Sequence, residues 1–173
     1  MSNITINKEE RVAKRKYKTG EDRLYGLLEA NIGLVGGVYV DVPDAITTRE
    51  SLIAVNGYNQ KKRYTMTEKK RPFDCVLIFP DNTICVECKY MYNHLEPHQK
   101  EIGRKMDAAV PERMAWCVIR MIEHTSKVTL RTSVKYQIED YERNKLFVTD
   151  NFIEMLKWLK NANNKKTLRG KNE

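Results

Sequence analysis

The chain has 173 residues, of which 31 are Lys or Arg and 23 are Asp or Glu, so its formal net charge is +8. That length fits one domain with a real core, since domains mostly run to about 100–200 residues. A hydrophobic content of 41% excludes disorder throughout. The apolar runs are far shorter than the ~20 residues that cross a bilayer, and no apolar stretch follows the N-terminal charges. We therefore expect a cytoplasmic protein with reduced cysteines.

The basic charge is concentrated in short segments. Together, the segments at residues 8–18, 61–71 and 165–173 hold more excess positive charge than the net charge of the whole chain. Clustered cations favour a polyanionic partner, most often nucleic acid, although solvated segments that only aid solubility explain the charge equally well. The domain organisation that we expect is a basic arm over 1–18, one domain over 19–162 with a long basic loop at 44–72, and a basic tail over 163–173.

Hydrophobic periodicity predicts an α/β fold in which helices flank a mixed central sheet, in the order α-β-β-β-α-β-β-α. Thr19 is the expected N-cap of the first helix, and Pro97 suits the first turn of the second. The predicted elements are a helix over 19–32, strands at 38–42, 73–79 and 84–90, a helix over 97–106, strands at 114–122 and 128–138, and a helix from 149 or 150 to 159. A further short strand is expected near 52–55, within the long loop.

Two of the predicted strands, joined by a turn at Pro80–Thr83, carry charged residues among apolar neighbours. Asp74 lies in the first, and Glu87 and Lys89 lie in the second. A four-residue turn would place Asp74 opposite Lys89 and Glu87 opposite Val76, so all three charged side chains would share one face. Such charges are costly to bury without a partner or a metal.

Two carboxylates on one face of a hairpin can hold a hard divalent cation at ~2.0–2.1 Å per oxygen. A lysine beside them can orient an attacking water or neutralise the charge that develops on a phosphate. The alternative is structural: Asp74 and Lys89 form a cross-strand salt bridge, and Glu87 is solvated on an open sheet face.

These residues carry a resemblance to a known family. The pattern P-F-D, twelve residues, E-C-K resembles the PD-(D/E)xK nuclease superfamily and is most similar to archaeal-type and phage Holliday junction resolvases. The segment G-E-D-R-L-Y-G-L-L-E matches the glutamate-bearing N-terminal helix of those resolvases and places that glutamate at Glu21. The segment L-E-P-H-Q resembles the signature of VRR-type nucleases and places a glutamine at Gln99.

The resemblance implies a restriction-endonuclease-like core and a Mg²⁺ cofactor, for which Mn²⁺ can substitute. Asp74, Glu87 and the backbone carbonyl of Cys88 would bind the metal, and Glu21 would reach it directly or through water. Lys89 would position or activate the nucleophilic water, with Gln99 facing the site. For Glu21 the alternative is a glutamate favoured only by the helix dipole, and for Gln99 it is a surface capping residue.

The function implied is a Mg²⁺-dependent DNA endonuclease that resolves Holliday junctions as a homodimer, in DNA recombination and repair, and in the host cytoplasm if phage-encoded. A restriction-like or flap-directed nuclease with the same metal site remains open, as does a non-catalytic nucleic-acid-binding module. The resolvases carry a catalytic serine in a short connection between their first two strands. The corresponding stretch here is the long loop at 44–72, where Thr47, Thr48 and Ser51 are candidates for that role and none of them is singled out by the pattern.

Further cations are candidates for DNA binding. Six lie in the long loop and three on one face of the predicted strand that follows β-strand 114–122: Lys61, Lys62, Arg63, Lys69, Lys70, Arg71, Lys127, Arg131 and Lys135. For the strand the alternative is an exposed edge protected by lysines. A zinc site at Cys85, Cys88, His94 and His98 is disfavoured, because strand alternation sends the two cysteines to opposite faces.

Overall fold

A six-stranded mixed sheet forms the centre of the protein in a computed structural model that describes residues 20–41 and 73–162. The strands lie in the sheet in chain order, β1 to β6. β3 and β4 pair in parallel, and all other neighbours are antiparallel. The elements are α1 (Gly20–Asn31), a 3₁₀ turn (Ile32–Val35), β1 (Val38–Asp41), β2 (Cys75–Phe79), β3 (Asn82–Tyr90), α2 (Pro97–Ala109), β4 (Trp116–Thr125), β5 (Thr132–Glu139), β6 (Lys145–Thr149) and α3 (Phe152–Lys160).

Helices cover both faces of the sheet, so the strands bury apolar residues on each side. α1, the 3₁₀ turn and α3 pack on one face, around Leu24, Leu28 and Leu156. α2 packs on the other, where Ile102 and Met106 meet the apolar side chains of β2, β3 and β4. The prediction of a mixed sheet flanked by helices is confirmed.

α2 connects the parallel strands β3 and β4, as such a pairing requires. It begins at Pro97, as predicted, since proline's missing N–H costs nothing in the first turn. Gln99, Ile102 and Met106 lie on its buried stripe. The start of α2 therefore lies close to the end of β3, where the predicted site residues are.

The predicted element order omitted one strand. Lys145–Thr149 forms β6, an antiparallel partner of β5 that contains no fully buried residue. Its weak burial explains the omission, because the hydrophobic alternation that marks a strand is faint there. The predicted start of the last helix at 149 or 150 was also early: Asn151 is the N-cap, and its side chain accepts a hydrogen bond from the Glu154 N–H at 3.1 Å.

The hairpin loop between β2 and β3 is shorter than predicted. Phe79 pairs with Asn82, so the loop consists of Pro80 and Asp81 rather than four residues. Asn82 is buried, and its side-chain amide donates to the carbonyl oxygen of Leu159 in α3 at 3.2 Å, which draws it into the strand. The predicted pairing is thus wrong by two residues.

The correction changes the neighbours but not the faces. Val76 pairs with Cys85 and not with Glu87, and Cys75 pairs with Val86. Asp74 precedes β2 rather than pairing with Lys89. A slip of two residues preserves the alternation of side chains, whereas a slip of one would have inverted it.

The strand predicted from 128 begins only at Thr132. Residues 127–129 form a turn organised by Ser126, whose hydroxyl accepts hydrogen bonds from the N–H groups of Val128 and Thr129 at 3.3 and 3.2 Å. Local side-chain bonds of this kind compete with strand pairing. Lys127 and Arg131 therefore belong to the loop between β4 and β5, and not to one face of a strand.

Several predicted segments lie outside the described residues. They are the arm at 1–18 with Thr19, the loop at 44–72 with its strand near 52–55, and the tail at 163–173. Within the ranges 20–41 and 73–162, no helix is long and apolar enough to cross a membrane.

Two helical glycines differ in how closely other residues pack against them. A Cβ on Gly103 would lie 2.7 Å from the ring of Trp116, whereas one on Gly26 would meet nothing within 4 Å. We expect Gly103→Ala to lower the free energy of unfolding by about 1–3 kcal/mol through overpacking. Gly26→Ala is the matched control and should raise it by up to ~1 kcal/mol through helix propensity. Urea unfolding measures both, and equal effects would contradict the packing of α2 on β4.

Candidate functional site

Asp74 is fixed by two hydrogen bonds to β3. Its backbone N–H donates to the carbonyl oxygen of Val86 at 2.9 Å, and its Oδ2 accepts from the backbone N–H of Cys88 at 2.8 Å. These contacts fall on either side of Glu87, so the two acidic residues are neighbours across the hairpin. Asp74 is buried.

Glu87 lies on the face of β3 that α2 covers, and it is only 3% exposed. Its Oε1 accepts a hydrogen bond from the side-chain amide of Gln99 and lies 3.3 Å from the ammonium nitrogen of Lys89. Lys89 is buried as well. The structural alternative that left Glu87 solvated is therefore wrong, and Glu87 itself pairs with the lysine.

Gln99 ties the start of α2 to this site. Its Oε1 accepts a hydrogen bond from the backbone N–H of Glu96 at 2.8 Å, which leaves its amide nitrogen to donate to Glu87. One side chain thus caps the helix and contacts the acidic site. Gln99 is therefore a capping residue, but a buried one rather than the surface residue of the alternative, because the helix begins where β3 ends.

Burial raises the pKa of the Glu87 carboxyl well above its ordinary value, and the negative charge of Asp74 raises it further. The Lys89 ammonium opposes this shift by its charge and its hydrogen bond, and Glu21 adds a smaller raising contribution. Two carboxylates that repel each other in a desolvated place are a common arrangement at functional sites.

Glu21 approaches the site from the other face of the sheet. α1 begins at Gly20, which lies so close to the ring of Tyr90 that a Cβ there would clash at 2.1 Å. The first turn of α1 is thus held at the end of β3, and the half-buried Glu21 is near enough to raise the Glu87 pKa. Of the predicted residues, Asp74, Glu87, Lys89 and Gln99 form the centre, and Glu21 lies at its edge.

The donor set is small. Within residues 20–41 and 73–162, no group of three or more His, Cys, Asp and Glu side chains is close enough to hold a metal ion. Asp74 and Glu87 provide two carboxylates, and Mg²⁺ commonly binds proteins through one or two carboxylates while keeping several waters. The repulsion that raises the Glu87 pKa is what a divalent cation between the carboxylates would relieve. The residues present therefore fit Mg²⁺.

The thiols of Cys85 and Cys88 belong to the apolar cores. Cys85 belongs to the core under α2 and Cys88 to the core under α1 and α3, which confirms that they face opposite ways. Both are buried free thiols, and burial raises the pKa of each. Thiols that resist ionisation are poor metal ligands.

Sequence reasoning missed a buried ion pair beside the site. Arg120 pairs with Glu139, and its guanidinium also donates to the carbonyl oxygens of Met91 and Asn93 at 2.9 and 2.8 Å. Arg120 is the β4 neighbour of Lys89. An arginine inside the apolar run at 114–122 was the available signal, because a buried charge requires a partner.

The predicted DNA-binding cations are only partly described. The six in the loop at 44–72 lie outside the described residues. Lys135 is exposed on β5 and shares a face with Arg120, because both side chains line one cleft. Lys127 and Arg131 are exposed on the preceding loop.

Comparison with known proteins gives no match: no family model fits the sequence, and no curated protein or solved structure matches the chain. The interpretation of the site accordingly rests on its residues and their geometry.

The raised Glu87 pKa predicts a pH-dependent stability. The folded protein binds a proton at Glu87 more tightly than the unfolded chain does, so ionising this group costs stability as pH rises above its ordinary value of 4.5. Glu87→Gln removes the cost and keeps an acceptor for Gln99. We expect the variant to be more stable than the wild type at pH 7, with the difference vanishing below pH ~4.5.

Thermal unfolding from pH 4 to pH 8 measures this difference. Glu112→Gln is the matched control, because Glu112 is exposed in the turn after α2. It should track the wild type at every pH. A Glu87→Gln variant that is less stable than the wild type at pH 7 would contradict the electrostatic account.

Proposed function

We propose that the protein is a metal-dependent DNA endonuclease that hydrolyses phosphodiester bonds, with branched DNA of the Holliday junction type as its substrate. The observation that supports this best is the buried Glu87, held between Lys89 and Gln99 next to Asp74. The proposal includes a restriction-endonuclease-like core, because the hairpin motif of the chain resembles the motif of the PD-(D/E)xK nucleases.

Burial of this cluster needs an explanation other than stability. Desolvating a carboxylate beside a second carboxylate is unfavourable, and an apolar residue at 87 would avoid the cost. Perturbed carboxylates of this kind concentrate at functional sites. The cost supports a role in chemistry rather than in folding.

Each residue of the cluster has a separate role in the proposed reaction. Asp74 and Glu87, with the Cys88 carbonyl, would bind Mg²⁺, which when bound supplies Lewis-acid activation of the phosphate and of a water molecule. Lys89 places its ammonium beside Glu87, where it can hold the attacking water or offset the charge of the phosphate. Gln99 fixes the Glu87 carboxylate in orientation. Glu21 would contact the metal from the edge of the site.

The preference for junctions is carried by the resemblance to Holliday junction resolvases and by the chain's positive charge. A homodimer would suit it, since two-fold symmetry places two active sites on two strands. A flap-directed or restriction-like nuclease with the same site is the second candidate, favoured by the long basic stretch where those resolvases have a short connection.

The test compares cleavage of a labelled four-way junction with that of matched flap and linear duplex DNA, in Mg²⁺ and in EDTA. We expect paired symmetric nicks on the junction in Mg²⁺ and none in EDTA. Asp74→Asn and Glu87→Gln should each lower the rate by about 100-fold or more, since each replaces a carboxylate that would bind the metal. Gln99→Ala should lower it by roughly 10–100-fold.

Glu112→Gln is the control that should cut at the wild-type rate. Cleavage of flap or linear DNA in preference to the junction would retain the nuclease and replace the junction with the second candidate. Tight DNA binding without cleavage, unchanged by Glu87→Gln, would leave a non-catalytic binding module.

A further inference from the structure

Within residues 20–41 and 73–162, helix covers only part of the sheet face that carries Glu87 and Lys89. α2 packs over the beginning of β4, against Trp116 and Val118. Beyond that contact, the described residues leave the same face open across β4, β5 and β6 as a cleft of about 800 Å³. Its lining includes Tyr92, Arg120, Lys135, Glu139, Arg143 and Lys145.

The cleft lies beside the candidate site. Lys89 of the site pairs with Arg120, and Arg120 pairs with Gln137, so these residues form one row across three adjacent strands. Arg120 and Gln137 both line the cleft. Because strand neighbours in a row lie ~4.8 Å apart, a ligand over these two residues would lie within about two strand spacings of Lys89.

The lining is positively charged toward solvent. Lys135, Arg143 and Lys145 are exposed, whereas the carboxylate of Glu139 at the base is buried and paired with Arg120. Arg120 thereby neutralises the charge of Glu139, and a ligand in the cleft would contact the exposed cations. A polyanion is the complementary ligand.

Tyr92 stands at the margin of the cleft and is 70% exposed. The turn that carries it is held firmly: Met91 adopts a left-handed φ of 52°, and Arg120 binds the carbonyls of Met91 and Asn93 on either side of the tyrosine. A large aromatic ring is thus presented to solvent on a fixed backbone. Such rings are the usual platforms on which unpaired bases stack.

A second ordered turn completes this end of the cleft. Asp140 accepts hydrogen bonds from the backbone N–H groups of Glu142 and Asn144 at 2.9 Å each. Between them Arg143 takes a left-handed φ of 69°, and its guanidinium lies 3.2 Å from the ring nitrogen of His94. The turns that carry Tyr92 and Arg143 are therefore in contact, and both have backbone conformations that are maintained at a cost.

We infer that this cleft binds one unpaired DNA strand, with its phosphates on Lys135, Lys145 and Arg143 and a base stacked on Tyr92. Three strands make a floor about 10 Å wide, which admits one sugar–phosphate chain. The exposed Tyr92 ring favours an unpaired strand, because the face of a base is open to stacking only where the duplex is interrupted. The inference rests on the proposed function, because strands part from their neighbours at a branch point and the displaced strand of a flap is unpaired.

The test measures binding without cleavage, by fluorescence anisotropy of a labelled 12-nucleotide single strand and of the same sequence as a duplex, in EDTA. We expect the wild type to bind the single strand more tightly. Lys135→Ala should reduce the slope of log K against log salt by about 0.7, the value for one lost phosphate contact on a single strand. Tyr92→Ala should weaken single-strand binding roughly fivefold or more and leave the duplex unaffected.

Lys157→Ala is the matched control. It removes the same charge from the exposed face of α3, on the other side of the sheet, and should bind like the wild type. Circular dichroism checks that each variant is folded. Equal binding of duplex and single strand, or an effect of Lys157→Ala as large as that of Lys135→Ala, would overturn the inference.

A cleavage assay separates this inference from the proposed function. If Tyr92→Ala and Lys135→Ala bind the single strand like the wild type while Glu87→Gln abolishes Mg²⁺-dependent cutting, the cleft assignment fails and the nuclease stands. If both variants lose binding as expected but the wild type cuts no DNA, the cleft assignment holds and the nuclease fails.

Discussion

The parallel pairing of β3 with β4 is the constraint on which the site depends. Parallel neighbours need a crossover, and α2 provides it by starting just past the end of β3. Its first turn therefore reaches Glu87, which lies, like Lys89, in the carboxyl-terminal half of that strand. An antiparallel β4 would have removed Gln99 from the acidic residues.

The same arrangement sets the balance between stability and chemistry. Glu87 is desolvated beside Asp74, and the lysine and glutamine that contact it offset only part of the cost, since the Glu87 pKa remains raised. The rest of the fold supplies the difference through two apolar cores, one on each face of the sheet. A site that holds a desolvated charge lowers the stability of the whole protein, so the protein must be stable enough elsewhere to maintain it.

The sequence was sufficient for the arrangement that matters most and insufficient for its details. The shared face of Glu87 and Lys89 follows from alternation alone. Asp74 precedes β2, yet it still hydrogen-bonds to β3 on either side of Glu87 despite the pairing error of two residues. The two-residue loop could not be predicted, because it depends on Asn82 reaching the carbonyl of Leu159, a contact between residues 77 apart in the chain. Long-range contacts of this kind leave no mark on local periodicity. β6 was missed for a related reason, since its residues are paired but weakly buried.

Arg120 shows how one buried charge can connect two parts of a surface. Its pair with Glu139 neutralises an acidic group at the base of the cleft, and its bonds to Met91 and Asn93 hold the turn that exposes Tyr92. It is also the strand neighbour of Lys89. A hydrophobic residue at this position would pack as well but could make none of these bonds, and the carbonyls and carboxylate would be left without the guanidinium. Arg120 thus belongs to both parts of the surface. It is the β4 neighbour of Lys89 in the candidate site, and it lines the cleft in which we place the DNA strand.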